Sequence, residues 1–600
     1  MKFAPYPESL YGGIALRSEE MLEEGKPGSE TQESSNRNPR AIDRRSFLVR
    51  SGAAATLAGA LAGPARAFAE SNSASAVPGV TNKRVLQSFM NRMSTANQEA
   101  HIAVAPQTTN GDEARYPDKS GTYTKGLLQD GYGRVNLQAY QSMKKAFQSG
   151  DPEDFENIIM GGTRTLNGPQ GALALGLEGS DAVQFGNAPC SGNQESSVVV
   201  PPAPAVSSQA YGTELIEMYW GSLLRDVAFT DYVSNPTAAL AAQELSTLPS
   251  YAGPRDSTGH VTPNLLFRGK TAGDAVGPYV SQFMILPTSL GAQELNQRFT
   301  TYLPGIDYMT DLTSWQQVQS GIDTGQHVQI DGIARYLRNG RDLSAWTHVD
   351  VLYQAYFTAL LVMGTLHVPL NPGNPYVGSR TQNGFSTLGG ADFAASVGSL
   401  AARALDVVWY HKWMVHLRHR PESGGGIVHL MQTEQGNSIN AHVNPNVLNS
   451  QALQQSFSRY GSYLLSQAFP EGSPTHPAYP TGHGTVGGAC ITLLKFFFDG
   501  NYVIPNPMVP TSDGLSLVPY TGPDAGEITV NGELNKLASN VTFGHGIHAG
   551  IHWRSDSDSS LRLGEAFAIS VLQDRARCYN EKFSVSFTKF DGTTATISNL

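Results

Sequence analysis

Cysteine is nearly missing from this chain. Only Cys190, Cys490 and Cys578 occur in 600 residues, with no C-x-x-C spacing, which excludes zinc ribbons and thioredoxin-type redox motifs. One disulfide with one free thiol is the most they allow, and Cys490, in an apolar run, reads as a small buried residue. Charge is also sparse: 15% of residues are Asp, Glu, Lys or Arg, and 41 basic against 51 acidic groups leave a net −10. Nothing resembles the clustered Lys/Arg footprint that nucleic acid requires, so no nucleic-acid partner is expected. An anionic substrate would need a locally positive pocket in this acidic background. Long hydrophobic runs are lacking as well. The Ala/Gly-rich stretch at 52–63 falls short of the ~20 apolar residues of a membrane span, and no later segment qualifies, so no membrane partner is expected. Internal repeats are absent.

What is present begins with a leader-like segment over residues 1–69. Asp43-Arg44-Arg45-Ser46-Phe47-Leu48 is a twin-arginine pattern, followed by the apolar stretch and by small-x-small sites at Ala65-Arg66-Ala67 and Ala67-Phe68-Ala69. Export of a folded chain by the twin-arginine route, to the periplasm or outside the cell, is the expectation. Residues 70–110 read as a Ser/Ala-rich linker and a first helix. Apolar residues then recur at helical spacing over 85–102, 215–232, 351–366, 393–417, 453–468, 489–498 and 561–579. The 62 Gly and 35 Pro fall largely in the long connections between these runs. A final alternating stretch, Phe583 to Phe587, then Asp591-Gly592, then Thr594 to Ile597, predicts a terminal hairpin. The fold class expected is mainly α, a large helical bundle over residues 111–600 with minor β hairpins, and its chemistry gathered in 390–580.

Three segments of that last part carry reactive side chains. Lys412 and Arg420-Pro421 close the run from 393, and a spacing of eight puts both cations about two turns apart on nearly one helix face. Alone, with His411, His416, Arg418 and His419, they also describe a solvated basic helix end. Thr481-Gly482-His483 follows the turn Tyr479-Pro480 and precedes an apolar helical run, so Thr481 is expected to cap a helix whose free N–H groups face an anion. His483 would lie beside that anion, placed for proton transfer. Its plain alternative is a capped turn with an exposed histidine. His545, His548 and His552 are spaced for one helix face and allow a zinc reading, which Gly544, Gly546 and Gly550 disfavour. Asp556 and Asp558 read as a polar helix start.

In order, Lys412-x7-Arg420-Pro421, Pro480-Thr481-Gly482-His483 and His552 resemble the vanadium-dependent haloperoxidases and the related acid phosphatases. Stretches such as Met218 to Val227, Gly277 to Phe283, Phe469 to Pro474 and Leu563 to Ala566 extend the likeness to the algal bromoperoxidases. The resemblance implies a vanadate (vanadium(V)) cofactor. Lys412, Arg420, Thr481 and the Gly482 N–H would bind its oxygens, His552 would be the axial nitrogen ligand, and His483 the acid/base residue. Trp409 and His476 would line the halide pocket, His476 being of the bromide-oxidising type. It further implies hydrogen peroxide, a halide (bromide favoured) and small organic acceptors as substrates, a homo-oligomer, and structural calcium without assignable ligands. Two alternatives stay open: an acid phosphatase with His552 as nucleophile, and a weakened, non-catalytic oxyanion-binding relative. The latter is suggested by a departure, since the family's Arg six residues before the axial His is here Gly546, with His545 the nearest replacement. Loss of one charge-assisted contact, ~1.5–3 kcal/mol, would weaken cofactor binding by about one to two orders of magnitude.

Overall fold

The structure is a computed structural model that describes residues 79–101, 107–174 and 200–600. The leader motif and Cys190 lie outside the described residues. The chain divides into two units, one ending at Met93 and the other running from Ser94 to Leu600. Helix α1 (Val80–Ala100) begins in the first. The longer helices of the second unit are α2 (Leu137–Ser149), α3 (Gln209–Leu223), α4 (Pro236–Thr247), α5 (Leu312–Gln319) and α6 (Gly340–Val349). They continue with α7 (Gln354–Thr365), α8 (Gly390–Tyr410), α9 (Pro421–Gln432) and α10 (Gln451–Tyr460), then α11 (Gly482–Phe497), α12 (Val530–Phe543) and α13 (Arg554–Ala576). No helix among the described residues is long and apolar enough to cross a membrane.

Local chemistry sets most of the starts. Asn136, Ser208, Asn235, Asp311, Asn339, Ser450 and Thr529 each accept a backbone N–H of the helix they open. Gly461 ends α10 in the left-handed conformation, so the helical run expected to reach 468 stops at Tyr460.

Helix α11 forms the centre of the bundle. Every residue from Gly484 to Phe497 is buried, so the helix is enclosed on all sides rather than amphipathic. It packs on α7, α8, α12 and α13, most extensively on α13. That contact depends on two missing side chains: a Cβ on Gly488 would lie 2.2 Å from the Leu561 carbonyl oxygen, and one on Gly564 2.0 Å from that of Thr485. Burial of Leu493, Leu494, Phe496 and Phe497 on this axis contributes about 1.5–3 kcal/mol each. Cys490 is buried here and Cys578 is exposed, and these two form no disulfide with each other.

The β structure among the described residues is four two-stranded antiparallel ribbons. The last, β1 (Ser584–Thr588) with β2 (Thr594–Ser598), is the expected terminal hairpin, with Val585 opposite Ile597 and Phe587 opposite Ala595. These four residues form its inward face and pack into the main core.

Two buried histidines make the fold acid-sensitive. His419 bonds the Tyr211 hydroxyl at 2.8 Å, and His548 bonds that of Tyr279 at 3.0 Å. Burial, then nearby arginines (Arg418 for the first, Arg225 and Arg554 for the second), pulls each from 6.5 to about 3. Between these values the unfolded chain binds more protons than the folded one, so stability falls as pH falls below about 6.5. Each ring contributes a loss of about 1.4 kcal/mol per pH unit across that window. The melting temperature, followed from pH 7 to pH 5, should drop more steeply for the wild type than for His548→Gln. Equal slopes would refute the assignment.

Candidate active site

Lys412 and Arg420 do not share a helix face. After Tyr410 the chain widens into a π turn over His411–His416, Leu417 takes a left-handed conformation at φ 44°, and Arg420 becomes the N-cap of α9 with Pro421 next. The eight-residue spacing therefore spans a break between helices, and the two cations converge from different segments. Nor is this a solvated basic end, because Lys412, Arg420, His411 and Arg418 are all buried.

The cations separate by their partners. Arg418 is neutralised, bonding Glu214 at 2.9 Å and Asp556 at 2.6 Å. Lys412 and Arg420 pair with no carboxylate among the described residues. The Lys412 Nζ donates to the carbonyls of Pro477 and Ala478 at 2.8 and 2.9 Å, which uses two of its three N–H bonds. Arg420 donates to the carbonyls of His476 and Ile551. Burial holds Lys412 well below its usual range, with Arg420 adding to the effect, and draws Arg420 down to about 10. Two buried charges without a counter-charge are costly, and an anion between them removes that cost.

His552 is fixed beside them. Its Nδ1 lies 3.0 Å from Asp556 Oδ2, and since a carboxylate can only accept, Nδ1 carries the proton. Nε2 therefore keeps its lone pair and accepts from Arg420 at 2.7 Å. Burial, with Arg420 and Lys412 near, holds this ring well below its usual range, so it is neutral. Asp556 also accepts the Trp553 N–H at 3.1 Å, so it does open α13, as expected, but its second task is to orient His552. Asp558 pairs with Lys270 at 3.2 Å.

At the N-terminus of α11, Thr481 is the N-cap residue but its hydroxyl makes no capping bond. Its Oγ1 is buried without any partner, which corrects the expected double role and leaves the hydroxyl free for a ligand. The helix begins at Gly482, whose N–H belongs to the first, unpaired turn. His483 is partly exposed and donates Nε2–H to Asp350 Oδ1 at 3.1 Å. Trp409 lies with its ring 4.7 Å from that of His476, which accepts from Arg420 at 2.9 Å.

The three histidines near the C-terminus do not share one face. Gly544–His548 is itself a π turn, which sends His545 toward His483 and His552, with ring separations of 4.1 and 5.8 Å, while His548 points into the aromatic core. No group of three metal-binding side chains of the His/Cys/Asp/Glu type forms among the described residues, so the zinc reading fails.

Sequence reasoning missed Asp350 and the second role of Asp556. Asp350 lies 133 residues from His483, with no local signal. Asp556 follows His552 by four, a spacing that could have been tested.

Fold and site together define a helical-bundle protein in which two buried cations and an unpartnered buried hydroxyl, at the N-terminus of the central helix, form a cradle suited to a tetrahedral oxyanion. A family model described as the VCPO second helical-bundle domain matches residues 393–581. The vanadium-dependent bromoperoxidase of Corallina officinalis is 31% identical, the match covering 86% of this chain and 98% of that one. That of Ascophyllum nodosum is also 31% identical, over 86% and 92%. The solved homohexameric second vanadate-dependent bromoperoxidase of Ascophyllum nodosum superposes with a TM-score of 0.80 at 28% identity, covering 89% of this chain and 95% of that one. The chain belongs to the vanadium-dependent bromoperoxidase family, enzymes that oxidise halide with hydrogen peroxide.

Proposed function

We propose that the protein oxidises bromide with hydrogen peroxide, using vanadate bound between Lys412, Arg420, Thr481, the Gly482 N–H and the Nε2 of His552. One observation carries this: two buried cations without a carboxylate partner lie with an unpartnered buried hydroxyl at a helix N-terminus. Bound there, vanadate supplies a Lewis acid of fixed oxidation state that activates peroxide toward halide. His483, held by Asp350, would accept a proton from hydrogen peroxide and pass it to the oxygen that leaves as water. Lys412, with one N–H uncommitted to protein, would donate it to an oxygen of the anion or of the peroxide and draw charge from it. Trp409 and His476 flank the halide side. The product is a hypohalous equivalent that halogenates small organic acceptors.

The homohexameric relative supports a homo-oligomer, and the twin-arginine leader supports export to the periplasm or beyond.

The purified protein, supplied with orthovanadate, peroxide and bromide, should brominate a phenolic dye, and should lose that activity without vanadate. Hydrolysis of p-nitrophenyl phosphate without vanadate, with no bromination under any condition, would instead establish the acid phosphatase. Neither activity, with phosphate still bound, would establish the non-catalytic relative.

A further inference from the structure

His545 is the second buried group of the cradle that lacks a partner. Its Nδ1 makes no hydrogen bond, and neither does the Oγ1 of Thr481. An unpaired buried polar atom costs about 1–3 kcal/mol, which a folded protein tolerates where a ligand completes the bond.

The neighbouring histidine provides a comparison. His548 also has an unpartnered Nδ1, but its ring is 0% exposed and packed shut: a Cβ built on Gly340 would lie 2.4 Å from that nitrogen. His545 is 8% exposed, and its ring lies 4.1 Å from that of the partly exposed His483 and 5.8 Å from that of His552. One imidazole is sealed in the core, whereas the other borders the space between the proton-transfer residue and the nitrogen ligand.

The next residue cannot take this role. Gly546 has no side chain, and a Cβ there would stand 3.3 Å from both the Cβ and the carbonyl oxygen of His552, tight enough to press on the residue that Asp556 orients. Position 545 is therefore the place on this segment from which a side chain reaches the cradle without disturbing His552.

We propose that His545 binds the oxyanion directly, its imidazole donating a hydrogen bond to an oxygen of the tetrahedral anion on the side that Lys412, Arg420 and Thr481 leave open. This rests on the reading of the cradle given above. The contribution of the imidazole is one donated hydrogen bond.

The test is equilibrium binding, independent of turnover. Calorimetric titration with inorganic phosphate and with orthovanadate, in the absence of peroxide and halide, compares the wild type with His545→Phe and His545→Gln. The ring-preserving Phe removes the donor and should weaken both anions roughly five- to tenfold. Gln retains an N–H donor and should bind within about twofold of the wild type. Ligand-free melting temperatures establish that each variant is folded; if Phe does not fold, His545→Ala makes the same comparison. Phe or Ala variants that bind both anions as tightly as the wild type overturn the proposal while leaving the cradle intact. A wild type that binds neither anion overturns the cradle itself, and this proposal with it.

Discussion

His552→Ala should yield a folded protein that neither retains vanadate nor oxidises bromide. In this site the His552 Nε2 is a ring lone pair fixed by its surroundings, because Asp556 takes the Nδ1 proton at 3.0 Å and burial keeps the ring uncharged. A nitrogen ligand must be neutral to bind, and this one is held so in advance. Alanine removes the lone pair that accepts from Arg420 at 2.7 Å and that vanadate would take over on binding. Removal of an outer partner of a metal ligand typically costs 10–100-fold in affinity, so loss of the ligand itself should exceed roughly 100-fold. Vanadium content after dialysis and the bromination rate give the readout. Stoichiometric vanadium with an unchanged rate would show that another atom is the ligand.

His483→Ala should have a different signature, with vanadate retained and turnover lost. His483 is tethered to Asp350, at the partly exposed edge of the cradle, and is not among the groups with a fixed charge or an unpartnered buried atom. Removing a positioned acid/base costs typically 10²–10⁴-fold in rate. Bromination should fall by roughly that factor, while equilibrium binding of orthovanadate changes little. If vanadate affinity fell in step with the rate, His483 would be a binding residue first. The pair of variants thus separates holding the anion from moving the proton.

Much of the fold was legible because its signals are local. Helical periodicity marked the cores of α7, α8, α11 and α13, and strict alternation around Asp591-Gly592 marked β1 and β2. The site residues were legible by type and order. What the sequence obscured were relations created by breaks in regularity. Lys412 and Arg420 seemed to share a helix because a run of apolar spacing does not reveal a π turn or the left-handed Leu417. Thr481 occupies a capping position, yet only three-dimensional packing leaves its hydroxyl unsatisfied. Asp350 reaches His483 by tertiary folding alone. Arg418 and Arg420 are indistinguishable as letters, and Glu214, more than 200 residues away, is what makes the first structural and leaves the second free for an anion.

The π turn over Gly544–His548 changes how distance along this chain should be counted. Such a turn is a single extra residue absorbed by a helix, which resets the angular phase of everything before it relative to everything after. Counting a fixed number of steps back from His552 therefore selects a letter, not a direction. In this protein six steps reach a glycine lying against the backbone of His552, and seven reach an imidazole beside the ring of His483. Anyone grafting a guanidinium onto this scaffold would put it at 545 and leave 546 bare.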